Sequence, residues 1–219
     1  MNLTLTEEQW LSWDSDPQTL IEFVSPVSPR KLRLFYCACV RRLWSLVKDE
    51  RSRAAVEASE RFADGLLSCE QLLEARKAGY SAWYEVSGVL HSAEDHVAAA
   101  AFMCANEELV YASGVPRRVA AGSENETSEY REHAALFRDV VGNPFHTLVA
   151  RNLSLGNERS NIVTLAQAIY DERAFSRLPA LAHTLLAAGC DDADILSHCR
   201  GPGPHVRACW VVDLILGKK

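Results

Sequence analysis

Long apolar runs are missing from this 219-residue chain. No stretch of about 18 apolar residues occurs, so no segment is expected to span a bilayer as a helix. The start, Met1-Asn2-Leu3-Thr4-Leu5-Thr6-Glu7-Glu8, has neither the basic nor the apolar segment of a secretory leader, which predicts a cytoplasmic protein. A basic balance is absent too. With 23 Lys+Arg against 29 Asp+Glu the formal net charge is −6, which speaks against a surface coated in phosphate contacts. The seven cysteines contain no C-x-x-C pair, and Cys37 and Cys39 sit two apart in an apolar run. Such usage predicts reduced, buried thiols rather than a disulfide framework. Strict apolar–polar alternation of useful length is lacking, and no segment recurs at a fixed period, which removes a sheet and a solenoid from consideration.

What is present is helical periodicity. The 48% apolar and 24% charged residues are ordinary for a globular protein with a real core. Thr6 and Gln9 form a capping-box pattern ahead of Trp10 and Trp13, and Asp16-Pro17 reads as a cap followed by the first helical position. Arg30 to about Val47 is the clearest helix. Leu32, Phe35, Tyr36, Cys39, Val40, Leu43, Leu46 and Val47 make its apolar arc, with Arg30, Lys31, Arg41, Arg42 and Lys48 opposite. Further helices are expected over Asp49–Ala63, Cys69–Glu85, Ser92–Leu109, Ser128–Val141, Asn161–Tyr170, from Leu178 to a stop at Gly189, from Asp191 to Cys199, and over His205–Leu216. The last is apolar nearly all round and should be central. Gly114–Ser128, with Gly114-Val115-Pro116 and the polar run from Gly122 to Thr127, reads as a loop or subdomain boundary. The expectation is an all-α, compact multi-helix array: an N-terminal part (1–113), a boundary (114–128) and a C-terminal part (129–219), packed as one unit. The tail resembles a single HEAT-like helical pair.

Two constellations carry chemistry. Cys190, His198, Cys199, His205 and Cys209 crowd the C-terminal region, and His205 and Cys209 share a helical face if the last helix starts at His205. Cys190, Cys199, His205 and Cys209 offer the four N/S donors that tetrahedral Zn²⁺ takes. A Cys/His nucleophile and base with Asp213 as orienter is the catalytic alternative, but no family-specific signature surrounds any cysteine. No catalytic residue is assigned. Asp191, Asp192 and Asp194 are explained by helix capping and the macrodipole. Gly201-Pro202-Gly203-Pro204 lacks two backbone donors and is a rigid turn rather than a phosphate cradle.

The second constellation is the basic arc of Arg30, Lys31, Arg33, Arg41, Arg42 and Lys48, extended by Arg51 and Arg53. It can dock an acidic protein partner, bind nucleic acid through phosphates, or be spent on internal ion pairs with the surplus acids. No aromatic residues interleave with it to stack bases. The preferred expectation is a non-catalytic helical accessory protein that docks another macromolecule, without a cofactor. A zinc-stabilised protein and a nucleic-acid binder through residues 30–53 are the alternatives.

Several stretches carry a resemblance. They are Arg30-Lys31-Leu32-Arg33-Leu34-Phe35 with Cys37, Ala38, Cys39, Arg41, Arg42 and Trp44; Phe137-Arg138-Asp139 with Gly142-Asn143-Pro144-Phe145; Leu165 through Phe175; and His198-Cys199-Arg200-Gly201-Pro202-Gly203-Pro204-His205-Val206-Arg207 with Cys209-Trp210-Val211-Val212-Asp213-Leu214. Together they resemble a large family of uncharacterised bacterial proteins expanded in planctomycetes. The resemblance implies an authentic folded family and brings no activity with it.

Overall fold

A computed structural model describes residues 4–87, 92–146 and 159–219. Among them are twelve α-helices and no strand. None of these helices is long and apolar enough to cross a membrane. In chain order they are α1 (Glu7–Ser12), α2 (Gln18–Val24), α3 (Pro29–Arg42), α4 (Glu50–Ala63), α5 (Cys69–Val86), α6 (Ala93–Cys104), α7 (Val115–Ala121), α8 (Glu126–Val141), α9 (Arg159–Glu172), α10 (Leu178–Ala187), α11 (Ala193–Arg200) and α12 (Trp210–Leu216). The chain forms two compact units, Met1–Phe137 and Arg138–Lys219, divided inside α8 rather than at 114–128.

In the first unit α3 is the central element, because every residue from Arg33 to Val40 is buried. A cluster of rings packs around it. Phe35 lies 5.2 Å from Phe137 and Trp10 6.1 Å from Phe137, both edge-on, as aromatic quadrupoles prefer. Helices α4, α5 and α6 pack on one another, and Gly79 permits the close approach: a Cβ there would lie 3.0 Å from Ala55 Cβ and 3.2 Å from Phe102 Cβ. The Thr6–Gln9 capping box is formed, and Asp16 Oδ1 accepts from the Gln18 amide, although Pro17 takes the capping position expected of Asp16 and α2 begins at Gln18.

The structure departs from three expectations. The helix from Ser92 stops at Cys104 rather than Leu109, because the carbonyls beyond its last turn point at a side chain instead of continuing the ladder. That side chain is Arg33, which was placed on an exposed basic arc. It is 4% exposed, and its guanidinium donates to the carbonyl oxygens of Cys104 (2.9 Å), Asn106 (2.6 Å) and Glu107 (2.8 Å). A helix C-terminus leaves acceptors unsatisfied and carries partial negative charge, so a cation fits there. The stretch expected as a loop, 114–128, contains α7, started by Pro116 in its first turn, and the first residues of α8.

The remainder of the arc is largely spent inside the unit. Arg41 makes a two-pronged pair with Glu60 (2.6 and 2.8 Å), Arg42 reaches Glu129 (2.6 Å) and Glu132 (2.8 Å), and Arg30 meets Asp64 (3.1 Å). Arg51 bridges Asp49 and Glu85, and Arg53 meets Glu50. Lys31 is half-buried and Lys48 exposed.

In the second unit the core gathers Ile162, Ile169, Tyr170, Leu178, Leu181, Leu185, Ile195 and Leu196 with Cys199, Cys209 and Trp210–Val212. The final helix is central, as expected, but it begins at Trp210 and not at His205. Ala208 stands at φ 70° and Gly203 at φ 93°, so the backbone from Gly201 to Cys209 is a turn that an α-helix cannot incorporate. Gly142 and Gly189 hold the positive φ of helix-terminating residues after α8 and α10. The stretch expected to lack periodicity, 146–160, falls mostly outside the described residues.

Candidate metal centre

Asp139 belongs to the last turn of α8, where Leu136, Phe137 and Val140 are buried around it. A carboxylate at that end opposes the helix macrodipole, so the helix itself gives no reason for it. Its side chain is 2% exposed. Two hydrogen-bond donors and one further ring nitrogen gather at it. His205 Nδ1 lies 2.8 Å from Oδ1, His198 Nε2 3.1 Å from the same oxygen, and the Val206 amide donates to Oδ2 at 2.9 Å. His198 projects from α11, His205 and Val206 from the turn, and Cys209 from the residue that precedes α12. Cys209 Sγ is 3.2 Å from His198 Nε2. One donor atom from each of Asp139, His198, His205 and Cys209 lies within 4.8 Å of all the others, and all four residues sit in the second unit.

The hydrogens can be placed by donor–acceptor logic. An indole N–H only donates, and Trp210 Nε1 lies 3.1 Å from His198 Nδ1, so that nitrogen is the acceptor and Nε2 carries the hydrogen. His205 faces an acceptor on each side, Asp139 at Nδ1 and the Gly201 carbonyl 3.3 Å from Nε2. Burial pushes the His205 pKa down, but the hydrogen bond and charge of Asp139 outweigh it and hold it above the usual imidazole value. Burial pushes the Cys209 thiol well up, and the Asp139 charge adds to that.

These facts bear on the chemistry the site can do. A nucleophilic cysteine needs a depressed pKa and a base free to take its proton. Cys209 is fully buried and shifted the other way, and the nitrogen facing it carries a hydrogen. Asp139 approaches that same nitrogen, whereas an orienting carboxylate acts on the opposite one. Asp213, the expected orienter, is buried on α12. The constellation fits a ligand set better: two imidazoles, a thiol and a carboxylate from three separate chain segments.

Of the four residues expected as metal ligands, the structure brings His205 and Cys209 together, through the turn rather than along a shared helical face. Cys190 and Cys199 lie outside the group. Cys199 is buried in the core and Cys190 packs against it, and burial pushes the Cys199 thiol up to about 12. In their place stand His198, which was noticed in the sequence, and Asp139, which was not assigned a role. The signal for Asp139 was available. It falls three residues after Leu136 on the inward arc of α8, a charge on an apolar stripe. Among known proteins, no family model, no curated protein and no solved structure matches this chain.

Proposed function

We propose that the second unit is a metal-binding helical module in which Asp139, His198, His205 and Cys209 hold one borderline divalent cation, Zn²⁺ by preference. The observation that carries this reading is the convergence of four donor atoms within 4.8 Å from the end of α8, α11, the following turn and the start of α12. Imidazole and thiolate suit zinc, whereas Mg²⁺ and Ca²⁺ take oxygen ligands. Zinc–ligand distances of about 2.0 to 2.3 Å imply ligand–ligand separations of roughly 3.3 to 3.7 Å in a tetrahedron. The contacts of 2.8 to 3.2 Å therefore need to widen by about half an ångström, while separations that reach 4.8 Å need to close by about one. Four protein ligands close the coordination sphere, which favours a bracing role over catalysis. The His205 Nε2–H···O=C contact to Gly201 is the outer-shell support that a ligating histidine receives.

Metal analysis of protein purified without an affinity tag tests the reading. We expect one zinc per chain, lost in Asp139→Asn and Cys209→Ser. Substituted Co²⁺ should give a thiolate charge-transfer band that Cys209→Ser abolishes. Protein that carries no stoichiometric metal and takes up none from added Zn²⁺ ends the proposal. The docking of a macromolecule through residues 30–53 has less support, because all six of its arginines are engaged within the first unit.

A further inference from the structure

We infer that Trp210 is a latch on this metal centre: its indole N–H holds His198 in the form that cannot ligate, so the cation binds reversibly and in competition with the Trp210–His198 hydrogen bond. The inference rests on the metal reading above and adds a regulating residue to it.

A neutral imidazole has one lone pair in the ring plane. At His198 that lone pair belongs to Nδ1 and is taken by Trp210 Nε1–H at 3.1 Å, while Nε2, the nitrogen that faces Asp139 and Cys209, carries the hydrogen. Coordination through Nε2 requires the opposite arrangement, with the hydrogen on Nδ1. Two N–H groups would then point at each other across that 3.1 Å contact, and one must turn away. Trp210 is not free to ignore this. It is 7% exposed, its ring centroid lies 5.2 Å from that of His198, and it opens α12 directly after the ligand Cys209.

A second observation points the same way. Each polar atom of the cluster already has a partner: two donors on the Asp139 carboxylate, His205 Nδ1 and the Val206 amide; an acceptor for each His205 nitrogen; the indole on His198 Nδ1; and the Cys209 sulfur for His198 Nε2–H. Buried polar groups so satisfied do not need a cation to avoid a desolvation penalty. The centre therefore has two complete arrangements. The indole decides how much free Zn²⁺ is needed to pass from one to the other.

The test is a chelator-competition titration with Zn²⁺ on the full chain. Trp210→Phe should bind Zn²⁺ about three- to tenfold more tightly than the parent, the size of one net hydrogen bond. A residue that served only for packing would weaken binding when trimmed. β-(3-Benzothienyl)alanine at position 210 keeps the bicyclic shape and lacks the N–H, and it should tighten binding to the same extent without disturbing the fold. In the parent chain itself, the indole ¹H–¹⁵N resonance of Trp210, assigned by its loss in Trp210→Phe, should move when Zn²⁺ saturates the site. Binding that is unchanged or weaker in both substituted proteins, or an indole resonance that stays in place at saturation, overturns the latch while leaving the metal centre standing. No zinc binding by any of the three proteins removes the metal reading and the latch together.

Discussion

Arg33 gathers three carbonyl acceptors on one guanidinium, and Asp139 gathers two donors, His205 Nδ1 and the Val206 amide, on one carboxylate. Each is a buried charge whose removal strands its partners, and such losses exceed what the contact itself contributes. Arg33→Met keeps most of the volume and deletes the donors. It should lower the urea unfolding free energy by about 2 to 4 kcal/mol, with the slope on denaturant unchanged. A loss below about 0.5 kcal/mol would show that water replaces the guanidinium at those carbonyls. The sequence made these two residues legible to different degrees. Spacing on a helical wheel assigns a side chain to an arc, but a long cationic side chain can turn inward when acceptors lie within reach, and those acceptors are 71 to 74 residues away. Asp139 was readable as a misfit on its helix. His198 was visible as one of a crowd of possible ligands, yet only the fold could choose it over Cys190 and Cys199.

At the scale of elements, caps and punctuation were good guides. Thr6, Ser28, Asp49, Ser68 and Ser92 each accept from an amide in the first turn that follows, and α4 and α5 lie within a residue of their expected limits, whereas α3 stops at Arg42 instead of about Val47 and a 3-10 turn over Trp44–Leu46 follows it. The misjudged ends have different causes. Beyond Cys104 a tertiary bond from Arg33 captures the backbone, whereas ahead of Trp210 the positive φ of Gly203 and Ala208 keeps the chain out of the helix. Helix-to-helix distance gives a separate prediction. Gly79→Ala should raise the intrinsic helix propensity of α5 by about 1 kcal/mol, yet its methyl meets Ala55 and Phe102 Cβ atoms that belong to two other helices. Overpacking should win, with a net loss of about 1 to 2 kcal/mol in thermal or urea unfolding. A more stable variant would mean that α4 and α6 yield without strain.

For the whole molecule, the absence of alternation and of repeats was enough to read an all-α chain, since helical periodicity is local. The division into two units was not legible. It falls at the last turn of α8, just ahead of Gly142-Asn143-Pro144, which reads as a helix end rather than a boundary between units, while the sequence drew attention to 114–128, where α7 forms. The acids of the first unit set its response to pH. Burial pushes the Glu129 pKa up, but His133 and Arg42 outweigh burial and bring it from 4.5 to about 2. A carboxylate depressed on folding stabilises the folded form above its unfolded value, and that stability drains away as pH falls from about 4.5 towards 2. Unfolding free energies measured across this interval should therefore decline more steeply for the parent chain than for Glu129→Gln, which should already be weaker at neutral pH. Parallel curves would show that the pairing contributes nothing to the acid response.

Ala208 is fully buried at φ 70°, between the turn that carries His205 and the residue that carries the thiol. An L-residue with a methyl group leaves that region when nothing holds it, and the swing would rotate the next peptide and move the Cys209 sulfur off its neighbours. The turn is closed by the Cys209 amide, which donates to the Val206 carbonyl at 2.9 Å, and the Val206 amide is in turn held by Asp139. The strained residue and the thiol that follows it are thus carried by one short loop tied at its first residue to the carboxylate.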